Sequence, residues 1–222
     1  MQYELELDGG PEVAGKVRPK PAPRPRFRRT DEGQPFLPGC QVARLDSLFF
    51  GIRPDGAAAL RITAETERLR AEHGLTGRPL GTKRLHVSLH GVGIYEGVPA
   101  GIEARAIAAA GLLREASFEV CFDRAMSFGQ EDGGRPLVLC GRGDDLVQLH
   151  AFHRRLGEVM KTARLGNIRK SFTPHMTLLY DRRAVAAEAI APIRWRVESF
   201  VLVHSLQGLS RHHDLCRWKL AT

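Results

Sequence analysis

Residues 83–93 read KRLHVSLHGVG and place His86, Ser88 and His90 at every second position. Alternate side chains of a β-strand point to opposite faces, so we expect these three residues to share one face. Two histidines and a hydroxyl would make a poor core face. The stretch therefore predicts a strand with one chemically active side.

The same pattern returns in the second half of the chain. Residues 172–179 read FTPHMTLL, so that His175 matches His86 and Thr177 matches Ser88. Each copy has the order histidine, apolar residue, hydroxyl, leucine. One such pattern arises easily by chance, but two copies on two predicted strands indicate two similar halves whose strands face a shared groove.

Hydrophobic periodicity, capping and turn signals outline the other elements. Helices are predicted from Asp55, as the cap, to Gly74, over 101–116, and from Asp144 to Gly166. Strands are predicted over 43–54, 83–95, 117–128, 135–142, 171–183, 193–206 and 213–220. This mixed order favours an α+β fold with mostly antiparallel sheet over regular βαβ units.

Residues 1–44 are predicted to be a basic, proline-rich, flexible tail, and residues 45–222 to be the folded domain. Residues 16–29 contain seven lysines or arginines, no acid and four prolines, a composition that favours an extended, solvated chain. The formal net charge of +8 favours an anionic partner. The tail is compatible with binding to RNA phosphates, with a targeting role, or with no specific role.

Composition also predicts the cellular location of the protein. No apolar run approaches the roughly 18 residues that span a membrane, and the acidic start lacks the apolar core of a secretion signal. The four cysteines form no CxxC pair and are interpreted as reduced thiols. We expect a cytoplasmic monomer without membrane contact.

A metal site is not expected. His212, His213 and Cys216 lie close together in sequence, but a zinc site usually needs a second ligand pair at similar spacing, and the sequence offers none. We therefore expect no metal and no cofactor.

The paired histidines and hydroxyls suit displacement at phosphorus. Histidine has an ordinary pKa near 6.5, so near neutral pH one copy can accept a proton while the other donates one. The two hydroxyls can donate hydrogen bonds to the non-bridging oxygens of a phosphate as charge builds. Such a set performs an in-line displacement without a metal.

These paired motifs resemble the two-histidine (2H) phosphoesterase superfamily. Within it the chain is most similar to RNA 2′,3′-cyclic phosphodiesterases, also called the 2′-5′ RNA ligase family. LFFGIRP at 48–54, RLHVSL at 84–89 and FTPHMTLLY at 172–180 resemble the landmarks of that family in their usual order. The resemblance covers roughly residues 45–220.

The resemblance implies a bilobal α+β fold, with two pseudo-symmetric lobes of mainly antiparallel sheet and flanking helices around a central, positively charged groove. It implies metal-independent hydrolysis of the 2′,3′-cyclic phosphate ends of RNA or nucleotides to 2′-phosphates. Reverse 2′-5′ joining of RNA ends, and an RNA-binding module with little catalysis, stay open as alternatives.

The resemblance also implies roles for individual residues. His175 would be the general base and His86 the general acid, although the sequence also allows the reverse, and Ser88 and Thr177 would bind the phosphate. Three further residues are candidates for substrate binding: His90, Arg169 and Lys170. The stretch HGVG after the first motif departs from the family pattern, which leaves the choice of substrate open. By strand parity we expect Phe172 and Tyr180 to pack in the core.

Overall fold

The computed structural model describes residues 45–129, 134–166, 168, 171–206 and 211–222. The predicted tail, together with Arg169 and Lys170, lies outside the described residues. The strands are β1 (Asp46–Ile52), β2 (Val87–Tyr95), β3 (Phe118–Ser127), β4 (Arg135–Cys140), β5 (His175–Asp181), β6 (Glu188–Val197), β7 (Ser199–Leu206) and β8 (Arg211–Lys219). The helices are α1 (Gly56–Glu72), α2 (Ala100–Ala110) and α3 (Val147–Thr162), and 3-10 turns cover Thr82–Arg84 and Asp144–Leu146.

The predicted α+β class with antiparallel sheet is confirmed. The described strands form one antiparallel sheet in the order β6-β3-β4-β5-β2-β1-β7-β8. The described strands fall into two adjacent blocks of this one sheet, β6-β3-β4-β5 and β2-β1-β7-β8, and the second block combines strands from both ends of the folded domain. Each block contains a strand, a helix and an antiparallel return strand, namely β1-α1-β2 and β4-α3-β5. The two pseudo-symmetric lobes and the central groove stay predictions.

The sheet is strongly curved, as the connection between β6 and β7 requires. The predicted single strand over 193–206 is wrong, because Glu198 separates two strands there. These strands lie six positions apart in the sheet, roughly 29 Å in a flat sheet at about 4.8 Å per strand. One linking residue extends the chain by only about 3.5 Å, so the sheet must curl until β6 runs directly into β7.

A local cap starts α1, whereas a contact with the C-terminal residues limits α2. The predicted cap of α1 is confirmed, since the Asp55 carboxylate accepts a hydrogen bond from the Ala58 N–H at 2.6 Å. The predicted helix over 101–116 is too long, because α2 ends at Ala110. The Ala221 N–H donates to the carbonyl of Glu115 at 2.8 Å, so the C-terminal residues hold the last part of the predicted helix in an extended segment.

Asp181 ends β5 and fixes the loop that follows α1. Its buried carboxylate accepts hydrogen bonds from the backbone N–H groups of Thr76 and Gly77, each at 2.6 Å, and of Arg183 at 2.8 Å. Burial opposes ionisation of this carboxyl, but the three N–H donors outweigh it and lower the pKa of Asp181. The ionised form therefore stabilises the fold.

We expect Asp181→Asn to lower the free energy of unfolding by about 1–3 kcal/mol at pH 7, because a neutral amide accepts the three backbone hydrogen bonds less strongly than a carboxylate does. The carboxylate contributes fully to the free energy of unfolding above about pH 3.9, the ordinary pKa of aspartate in the unfolded chain. This contribution is lost as the pH falls through the lower pKa that Asp181 has in the folded protein. In urea unfolding, the difference from wild type should therefore shrink in acid. Asp144→Asn, at an exposed carboxylate, is the control. A deficit that stays constant from pH 7 to pH 2 would contradict this account.

Candidate active site

The two motifs meet where the two blocks of the sheet join. Strands β2 and β5 pair at Val87 and Met176, the apolar residues that follow the two histidines. We call this contact the seam. In an antiparallel pair this register places His86 level with Thr177, so the histidine of each motif lies level with the hydroxyl of the other motif.

Burial shows which way the motif side chains face. Val87 and Met176 are fully buried, whereas Ser88 is exposed and Thr177 is half-buried. The hydroxyls therefore lie on the face away from the core, and the alternation of the strand places both motif histidines, which are half-buried, on that face too.

The leucine of the first motif is the extra residue of a β-bulge. Ser88 pairs with Gly51 on β1, but His90 pairs with Phe50, so Leu89 has no partner of its own. One extra residue reverses the alternation of the strand. The expectation that His90 shares the face of Ser88 is therefore wrong.

His90 lies in the core against α3. It is 5% exposed, its Nε2 is hydrogen-bonded to the carbonyl of His153 at 2.8 Å, and its ring stacks on that histidine at 3.8 Å between centroids. The His153 ring stacks in turn on Phe172 at 3.9 Å, which confirms the expected packing of Phe172. Burial lowers the pKa of both histidines, that of His153 to about 4. His90 thus faces away from the seam hydroxyls and is not retained as a substrate contact.

The second motif repeats this bulge on β5. Thr177 pairs with Val138 and Leu179 with Leu137, so Leu178 is the extra residue. The reversal turns Tyr180 outward, and it is 52% exposed. The expectation that Tyr180 packs in the core is wrong for the same reason as that for His90.

Both motif histidines are anchored in the same way. The Nδ1–H of His86 donates to the carbonyl of Arg84 at 2.7 Å, and the Nδ1–H of His175 donates to the carbonyl of Thr173 at 2.8 Å. A carbonyl can only accept, so each neutral ring carries its proton on Nδ1. The Nε2 of each ring is left with a lone pair that can take a proton.

His86 is enclosed by rings and cations. Its ring centroid lies 5.0 Å from that of Phe49 and 5.1 Å from that of His212, which meets it edge-on. Burial lowers the pKa of His86 to about 4, and the nearby charges of Arg53 and Arg84 act in the same direction.

Arg53 joins the elements that surround His86. Its Nη1 donates to the carbonyl of Lys83 at 2.6 Å, and its Nη2 pairs with Asp214 of β8 at 2.5 Å. This guanidinium therefore ties β1 and β8 to the turn that leads into the first motif. The sequence contains Arg53 in LFFGIRP but gives no sign of this role.

His212 reaches the site through the curvature of the sheet. Its strand, β8, lies three positions from β2 in sheet order, yet β8 contacts the turn Thr82–Arg84. Sequence reasoning considered His212 only as a metal ligand. Among the described residues, no group of three or more histidines, cysteines or acids is placed to hold a metal ion.

His175 has a simpler environment. Its ring lies 5.0 Å from that of Phe128, and Cys140 is its strand partner on β4. Burial raises the pKa of the Cys140 thiol to about 11, so this neighbour is neutral at physiological pH.

Comparison with known proteins identifies relatives of this arrangement. A family model described as the 2′-5′ RNA ligase superfamily matches residues 58–212. No curated protein matches the chain significantly. In the ranges that the structure describes, no helix has the length and apolar character needed to cross a membrane.

Solved structures agree with the family match. A crystal structure of a phosphoesterase is 27% identical, covers 80% of this chain and 99% of its own, and has a TM-score of 0.63. Escherichia coli LigT, complexed with ATP or with 3′-AMP, has the same identity and coverage, with TM-scores of 0.61 and 0.60. The protein TT0787 of Thermus thermophilus is 19% identical over 78% of this chain and 97% of its own, with a TM-score of 0.61, and shares the fold.

Proposed function

The chain belongs to the 2′-5′ RNA ligase superfamily of 2H phosphoesterases, and on that basis we propose that it is a metal-independent phosphodiesterase. Its substrates are 2′,3′-cyclic phosphate ends of RNA or nucleotides, which it hydrolyses to 2′-phosphates. The observation that supports this proposal most directly is the pairing of Val87 with Met176 across the seam, because it sets a histidine and a hydroxyl from each motif on one face. The complex of E. coli LigT with 3′-AMP supports a nucleotide ligand.

The chemistry follows from the atoms left free at the seam. One Nε2 takes a proton from water as the new O–P bond forms, and the other protonates the 3′-oxygen as the P–O3′ bond breaks. The hydroxyls of Ser88 and Thr177 donate to the non-bridging oxygens, where negative charge increases in the transition state. These side chains supply both proton transfers and the charge stabilisation.

Removing either hydroxyl tests this role. We expect Ser88→Ala and Thr177→Ala each to lower kcat/KM for a 2′,3′-cyclic nucleotide by about 10²-fold, since one preorganised donor to a developing charge is worth about 3 kcal/mol. The assay is hydrolysis in the presence of EDTA. Thr162→Ala, which removes an exposed hydroxyl of α3, is the matched control and should keep wild-type activity.

Full activity in both hydroxyl variants would contradict the phosphate-binding role. No turnover by the wild-type protein, combined with salt-sensitive RNA binding, would favour a binding module instead.

A further inference from the structure

Three rings form a continuous stack between the parts of the chain that carry the two motifs. The His153 ring of α3 lies between the rings of His90 and Phe172, with centroids 3.8 Å and 3.9 Å away. The planes of the His153 and Phe172 rings are nearly parallel, at 3°. His90 belongs to β2, and Phe172 lies just before β5. One side chain of α3 thus bridges the strand of the first motif and the segment that leads into the second.

This leading segment, residues 171–174, carries the carbonyl that anchors His175. The Nδ1–H of His175 donates to the carbonyl of Thr173 at 2.8 Å. The segment has no regular secondary structure, and Thr173 is exposed. Within the described ranges, residues 171–174 make no backbone–backbone hydrogen bond. The packing of Phe172 and of the buried Pro174 therefore holds this carbonyl in place.

The matching anchor of His86 is held by different means. The Arg84 carbonyl, which accepts from His86, lies in a 3-10 turn in which the Arg84 N–H donates to the carbonyl of Gly81 at 2.7 Å. Arg53 adds a hydrogen bond to the same turn, on the Lys83 carbonyl at 2.6 Å. The described residues give the second anchor no such bonds, so the second anchor depends on the ring stack.

His153 is a rigid support for the Phe172 ring. It is 6% exposed, and its backbone carbonyl accepts a hydrogen bond from the Nε2–H of His90 at 2.8 Å. One turn further along α3, a Cβ added at Gly157 would lie 3.0 Å from the same Nε2. Because α3 and β2 are packed this closely, the His153 ring has no room to move away from Phe172.

We propose that His153 is a positioning residue for His175. Its ring holds Phe172, Phe172 fixes the adjacent carbonyl of Thr173, and this carbonyl orients the Nε2 of His175 toward the phosphate. The inference rests on the proposed function and adds to it a core residue of α3. A displacement of about 1 Å in a reacting group can lower a rate by about 10²-fold. A loosened Phe172 should therefore lower kcat, while the hydroxyls at the seam still bind the phosphate.

Steady-state kinetics on a 2′,3′-cyclic nucleotide test this role. His153→Ala opens a gap beside Phe172 and should lower kcat by about tenfold or more, with KM changed by less than about threefold. His153→Phe returns a flat ring to the stack and should bring kcat to within about threefold of wild type.

The matched control is Phe152→Ala, which removes the neighbouring buried ring of α3. Phe152 packs against Phe118 and Phe200 and makes no ring contact with the stack. Its kcat should stay within about threefold of wild type, because its contacts are separate from the stack. All variants are assayed at a temperature at which circular dichroism shows them folded.

The tautomer of His175 gives a readout that needs no turnover. In the wild type, the fixed Thr173 carbonyl holds the neutral ring in its Nδ1–H form. In His153→Ala and in Phe172→Ala, the ¹⁵N chemical shifts of the two ring nitrogens should move toward each other, because both tautomers become populated. Phe172→Ala also tests the stack if His153→Ala does not fold. The double variant should lose little more than either single variant, because both remove the same contact.

Wild-type kcat in a folded His153→Ala protein, no recovery in His153→Phe, or an equal loss of kcat in Phe152→Ala would overturn the positioning role. A wild-type protein that opens no cyclic phosphate would overturn the proposed function itself. In that case the ¹⁵N shifts would still decide whether His153 orients His175, so the two failures are distinguishable.

Discussion

Replacing His86 or His175 by alanine is expected to lower kcat/KM for a 2′,3′-cyclic nucleotide by about 10³-fold, or roughly 4 kcal/mol. Each ring has its Nδ1 committed to a backbone carbonyl, so its Nε2 is the atom that moves a proton. The measurement is the initial rate of ring opening with EDTA present. The double variant should lose less than the product of the single losses, because the two groups act on one transition state.

His213→Ala is the matched control. His213 is exposed and adjoins His212 in sequence, so its removal should change kcat/KM by less than about twofold. If the double variant of His86 and His175 kept wild-type activity, the two-histidine account would be wrong.

Gly166→Ala is expected to lower the free energy of unfolding by about 3 kcal/mol or more, and the Tm by roughly 6–12 °C. Gly166 has a φ of +64°, which side chains other than glycine rarely adopt, and an added Cβ would lie 2.3 Å from the carbonyl oxygen of Gly91. Either α3 or the end of β2 must then shift. Thermal unfolding followed by circular dichroism measures the effect.

The control for this substitution is Gly101→Ala. Gly101 lies in α2 with nothing within 4 Å of the added Cβ, so alanine should be neutral or should stabilise the helix. Equal stability of the two variants would contradict the packing described at Gly166.

The alternation of side chains along a strand predicted part of the site correctly and failed only beyond the β-bulges of the two motifs. The two-residue period correctly placed Ser88 opposite the buried Val87. The same period failed at His90 and Tyr180, because each follows a bulged leucine. A bulge depends on pairing with the neighbouring strand, and no local signal in the sequence marks it.

The environment of His86 could not be predicted from sequence for a different reason. Arg53 and His212 lie far from it along the chain. Arg53 reaches it because β1 pairs with β2 at Ile52 and Val87, whereas His212 reaches it because the sheet curls. That curvature follows from the break at Glu198, which the run of β-forming residues predicted to be the interior of one strand. The sequence therefore predicted the motif pair, whereas the residues that surround His86 could be identified only from the fold.

The most direct measurement of the central claim is the product formed from an RNA dinucleotide with a 2′,3′-cyclic phosphate end, in ¹⁸O-labelled water with EDTA present. The account predicts a 2′-phosphate that carries one ¹⁸O atom, and no turnover in the double variant of His86 and His175. An unchanged cyclic phosphate, a 3′-phosphate product, or undiminished turnover in the double variant would contradict it.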